Sequence, residues 1–108
     1  MPRQKMRLAS VMQLKQGQEL EYKRRHDALW PELEAKLKEH GVHHYSIFLH
    51  PETLQLFAYV EVEDEQRWAA IADTDECQRW WQYMADIMEV NPDMSPTNSA
   101  LNAVFYLQ

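Results

Sequence analysis

Two runs of alternating residues, 43–50 (HHYSIFLH) and 54–63 (LQLFAYVEVE), meet through the turn-forming His50-Pro51-Glu52-Thr53. This hairpin pattern constrains the chain more than any other feature. A period of two reads as extended strand, and a short Pro-bearing connection between two such runs reads as a hairpin. Pleating sends successive side chains to opposite faces. One face of the first run then carries His43, Tyr45, Ile47 and Leu49, and the other His44, Ser46, Phe48 and His50. In the second run Leu56, Ala58, Val60 and Val62 oppose Phe57 and Tyr59. Both faces carry apolar or aromatic groups. A bare apolar sheet face is unfavourable in a soluble monomer, so something must cover each side.

The flanking segments supply one cover. Residues 6–14 (MRLASVMQL) read as a strand. Residues 17–40 read as helix, with a break near Leu29 and Trp30 forced by Pro31 and a stop at Gly41. Residues 64–72 read as a short helix and 74–89 as a longer one. Asp73 and Glu76 stand three apart, as in a capping box, and Cys77, Trp80, Trp81, Met84, Ile87 and Met88 follow at the spacings of one helical face. Residues 91–98 (NPDMSPTN) read as loop and 101–107 (LNAVFYL) as a last strand. The order is β-α-β-β-α-β, an α+β ferredoxin-like plait with its helices on one sheet face. The other face needs a partner, most simply a second copy of the chain.

Composition narrows the function. The 108 residues suit one domain, 1–108, with residues 1–5 as a flexible arm. The single cysteine, Cys77, excludes an intrachain disulfide and favours a reducing compartment. The N-terminus lacks an apolar leader core and no run is long enough to cross a bilayer, so a soluble cytoplasmic protein is expected. Net charge is −6, and residues 41–108 hold only Arg67 and Arg79 as cations against eleven acids. Such a balance repels phosphate backbones and anionic lipid, which argues against nucleic-acid and membrane partners.

Three groups of residues invite a chemical reading. Tyr22 and His26 are four apart, so a helix presents them on one face. A phenol beside an imidazole suits proton transfer to a hydroxylated ligand near neutral pH, although the same spacing serves two packing residues. Trp80 and Trp81 point about 100° apart on a helix, so one can enter the core while the other lines a pocket. Indoles stack on the C–H faces of sugars, though two core aromatics fit the spacing equally. His40, His43, His44 and His50 raise a metal site, which is rejected: His43 and His44 point to opposite faces and no H-E-x-x-H pattern exists. Cys77 reads as a small core residue.

YKRRHDALWPELEAKLKEHG (22–41), HHYSIFL (43–49), DECQRWWQYMADIM (75–88) and NPDMSPTNSALNAVFYL (91–107) resemble the L-rhamnose mutarotase family over nearly the whole chain. The resemblance implies a dimeric α+β barrel of ferredoxin-like subunits, a neutral deoxyhexose as substrate, and no cofactor or metal. It implies His26 as proton donor, with Tyr22, Tyr45, Trp80 and Trp81 in contact with the sugar. Asp27-Ala28-Leu29 departs from the Asn-Pro-Ile expected after the histidine. Two other classes share features read here: cofactor-free monooxygenases built on small dimeric barrels, and non-catalytic sugar-binding modules.

Overall fold

The computed structural model describes residues 5–108, so residues 1–4 of the expected arm lie outside the described residues. The elements are β1 (Met6–Gln13), α1 (Glu19–Asp27), α2 (Pro31–Glu39), β2 (Val42–Leu49), β3 (Gln55–Val62), α3 (Glu65–Ala70), α4 (Asp75–Met84) and β4 (Asn98–Leu101). A single turn of 3-10 helix, Ile71–Asp73, joins α3 to α4. The sheet is antiparallel throughout, in the order β2-β3-β1-β4. This is the ferredoxin-like arrangement anticipated from the element order.

Pairing sorts the side chains as the period of two requires. Leu56, Ala58, Val60 and Val62 are all buried on the inner face, opposite Met12, Ser10, Leu8 and Met6 of β1. Helices cover this face. Tyr22 from α1, Leu33 from α2, and Cys77, Trp80 and Met84 from α4 join Leu56 in one core, with Trp68 of α3 packed against it. The outer face carries Val11, Phe57 and Phe48, and Phe48 is 67% exposed. One expectation shifts on β2: a bulge between Val42 and His44 takes His43 out of the alternation, and its imidazole meets Glu63 at 2.7 Å.

The break before Pro31 is complete. The amide-less ring starts a new helix at its first position, and Trp30 is extended (ψ 129°), as a residue before proline must be. Two helices therefore stand on either side of the break expected near Leu29 and Trp30. Gly41 ends the second with φ +86°. An added Cβ there would also meet Cβ of Glu63 at 3.3 Å.

Three boundaries depart from the sequence reading. The cap of α4 is Thr74, whose Oγ1 accepts from the Cys77 amide at 3.3 Å, rather than an Asp73–Glu76 box. The helix ends at Met84 because the next residues join the sheet end: Lys15 N donates to Ile87 O and Glu89 N to Gln13 O. Ile87 and Met88 stay buried, as their spacing indicated, but outside the helix. The last strand is Asn98–Leu101, not 101–107. Pairing with β1 stops at Leu101, opposite Ala9, although β1 runs on to Met6, and Val104 is 92% exposed. The tail instead brings Tyr106 under the Arg7 guanidinium, 3.6 Å from its centroid.

Gly41→Ala should lower stability by about 1–2 kcal/mol, since an L side chain is strained at this φ and its Cβ presses on Glu63. Urea unfolding checks this. An unchanged midpoint would contradict the strained cap.

Candidate functional site

Between the inner sheet face and the helices lies a cavity of about 1110 Å³. Tyr22, His26, Tyr45, Trp80 and Trp81 all line it. They come from α1, β2 and α4, so only the fold unites them. Sheet residues such as Ser10, Ala58 and Val60 form its floor.

The helical spacing of Tyr22 and His26 brings their rings together, centroids 4.3 Å apart and planes tilted by 30°. The His26 ring stands edge-on to Trp80 at 5.3 Å and 89°. His26 Nδ1 lies 3.1 Å from the Tyr22 carbonyl oxygen. A carbonyl can only accept, so Nδ1 carries the proton and donates it there. Burial holds the imidazole below its ordinary titration range, against the opposing pull of the Tyr22 carbonyl and the Asp27 charge. The ring is therefore neutral at pH 7, and Nε2 presents a lone pair.

The two phenols stay protonated. Burial, and secondarily Tyr45, raises Tyr22 well above the ordinary phenol value. Tyr45 is 41% exposed as a residue, and desolvation, with Cys77 as a lesser cause, pushes its phenol up to about 12. Burial also raises the Cys77 thiol, to about 11, so this cavity-lining sulfur is a thiol rather than a nucleophilic thiolate. Charged side chains lining the cavity, including Lys23, Asp27 and Glu65, are exposed and stand at its mouth; Lys23 and Asp27 pair at 2.8 Å.

The tryptophan pair divides its roles. Trp80 is buried, and Trp81 is half-buried. Trp80 sits in an aromatic box that sequence reasoning missed. Trp30 meets it edge-on at 5.1 Å, and Tyr83 lies 5.6 Å from it. Trp68 was missed too; it lines the cavity and stands 5.9 Å from Tyr45. The available signal was spacing: Tyr83 follows Trp80 by three, so both share a helical face.

The histidines of the rejected metal group do not gather. His40 Nδ1 bonds the Lys36 carbonyl, His43 meets Glu63, and His50 Nδ1 accepts from the Glu52 and Thr53 amides. Among the described residues no helix is long and apolar enough to cross a membrane.

Residues 7–107 match the family model for L-rhamnose mutarotase. An L-rhamnose mutarotase of Opitutus terrae is 61% identical over 102 residues, 94% of this chain and 98% of that one. One from Tolumonas auensis is 59% identical over the same shares. The crystal structure of an L-rhamnose mutarotase from Formosa agariphila, 48% identical, superposes with a TM-score of 0.89 over 95% of this chain and 99% of that one. A Nitrosomonas europaea protein provisionally assigned as an antibiotic biosynthesis monooxygenase superposes at 0.62 over 97% of each chain. At 14% identity it shares the fold alone.

The His26 imidazole should titrate below the ordinary value of about 6.5, with Nδ1 as the protonated nitrogen of its neutral form. Nitrogen-resolved NMR of the ring checks both. A midpoint at or above the ordinary value, or an Nε2–H tautomer, would contradict the site as described.

Proposed function

This chain belongs to the L-rhamnose mutarotase family, and from that premise we propose that it is an isomerase interconverting the α and β anomers of L-rhamnose by acid–base-assisted ring opening and closure. The observation that carries the reading is the half-buried His26 between Tyr22 and Trp80, lining a cavity that also holds phenols, indoles and aliphatic groups and whose charged residues are exposed.

The resting ring is neutral, so the proton that His26 gives to the sugar is one it first takes. Nε2 removes the proton of the anomeric hydroxyl and returns it to the ring oxygen as the C1–O5 bond breaks. The open-chain aldehyde rotates about C1–C2. The reverse transfers close the ring on its other face, and the imidazole ends as it began. The Nδ1–H bond to the Tyr22 carbonyl stabilises the imidazolium formed midway. Tyr22 and Tyr45 keep their protons and orient sugar hydroxyls, and Trp80 and Trp81 offer apolar faces to the ring. A positioned acid–base group contributes about 10²–10⁴-fold, enough for a reaction that already proceeds unaided in water.

The working unit in this reading is a homodimer. The helices cover the inner face, while Phe48, Leu101, Val104, Phe105 and Leu107 stand exposed on the outer face and the tail. A second copy would cover them with the same surface. A cytoplasmic location fits the single free cysteine and the net charge of −6.

NMR saturation transfer between L-rhamnose anomers tests the activity. Exchange should rise above the buffer blank, with or without EDTA, and His26→Gln should remove most of the gain, about 10²–10⁴-fold. Because neutral His26 starts the cycle and its titration is lowered, the enzymatic rate should hold near pH 7 and fall as pH drops below about 6.5. Rates equal to the blank across pH 6–8 would sink the proposal. Sedimentation should show a dimer at low micromolar concentration. A single species near 12.9 kDa would overturn that part.

A further inference from the structure

Arg25 immediately precedes His26 and has no part in the reaction as drawn. Its side chain is only 10% exposed. Nε donates to Glu21 Oε2 at 2.7 Å, on its own helix. The other nitrogens reach across to α4: Nη1 donates to the Tyr83 carbonyl at 2.6 Å and to Asp86 Oδ1 at 2.9 Å, and Nη2 to Asp86 Oδ2 at 3.2 Å. The guanidinium carbon also lies 4.4 Å over the Tyr83 ring.

The Tyr83 carbonyl belongs to the last turn of α4, whose oxygens have no helical donor. Arg25 therefore caps α4 from a neighbouring helix and places a cation at its negative end. The match is geometric as well as electrostatic, because a planar fork satisfies the carboxylate and the carbonyl together.

Helix α1 needs such a tie. It has nine residues, no side-chain cap, and Tyr22 as its one buried residue. A helix that short holds its orientation only through tertiary contacts. His26 stands one residue from its end, where helices fray. On α4, Tyr83 lies one turn beyond Trp80 and touches it at 5.6 Å. Fastening Arg25 to Tyr83 thus fixes the two surfaces that also meet as His26 against Trp80.

We propose that Arg25 is a positioning residue: by clamping the last turn of α4 it holds α1 at the rotation that sets His26 against Trp80 and aims its free nitrogen into the cavity. The proposal rests on His26 being the proton-carrying group.

The test compares Arg25→Lys with wild type, with His26→Gln as reference and Arg79→Gln as control. The control removes an exposed ion pair within α4. Lysine keeps the charge and loses the fork. A displacement of about 1 Å at a reacting group costs roughly 10²-fold, so Arg25→Lys should lower kcat by about 10–100-fold with KM nearly unchanged. In the unliganded variant the His26 titration should move up toward the ordinary value as water reaches a ring otherwise flanked by Tyr22 and Asp27 of α1 and Trp80 of α4. Asp86→Asn, which weakens the clamp from the other side, should shift kcat and titration the same way by less, and keeps the test decisive if Arg25→Lys folds poorly. Normal kcat and normal His26 titration in these variants, with only a lower Tm, would overturn the proposal and leave Arg25 a stabilising tie. If His26→Gln stays fully active, the His26 reading fails and this inference with it. If His26→Gln is inactive while Arg25→Lys is normal, only this inference fails.

Discussion

Each functional group in this protein depends on a sheet that helices cover on one face alone. The pleat sends Leu56, Ala58, Val60 and Val62 inward, and the connections carry the helices to that same side. Tyr45 rises from the floor; Tyr22, His26, Trp80 and Trp81 come down from α1 and α4. The cavity is the space the two layers leave between them. A register slip of one residue on β2 would turn Tyr45 to the outer face and replace it with a neighbour.

Much of this was legible in the sequence. The alternation of β3 is borne out residue by residue, because a strand buried on one face has no freedom of register. Pro31 was legible because its ring fixes its own φ, and Gly41 because a residue without a Cβ takes the positive φ of a helix stop at little cost. The boundaries that failed were those set by distant partners. Nothing local to residues 85–89 says that Gln13 and Lys15 will pair with them. Nothing local to 101–107 says that the last strand leaves β1 at Leu101. In the site, Tyr22 with His26 followed from helical spacing, and Trp80 with Trp81 from residue type. The role of Arg25 was not legible, since its partner Asp86 lies 61 residues away.

Burial shapes the chemistry as much as residue choice does. An exposed histidine is partly protonated near pH 7, its ordinary pKa being about 6.5. His26 is kept neutral by desolvation, and a backbone oxygen decides which nitrogen holds the remaining proton. The phenols are likewise held in one protonation state. The cavity therefore contains one group able to change charge near neutral pH among several that cannot.

With the charged residues that line the cavity all exposed, the phenols, indoles and aliphatic groups also set how the protein feels its ionic surroundings. A neutral ligand entering a neutral pocket is neither drawn in by a long-range field nor screened from it, so capture proceeds by unassisted diffusion. At physiological ionic strength, interactions between exposed charges fade beyond about 8 Å. The acidic surface can thus keep the proposed dimers from aggregating without altering how a neutral ligand reaches the cavity. Colloidal behaviour and capture of a neutral ligand are largely decoupled, and surface charges away from the cavity mouth are free to vary.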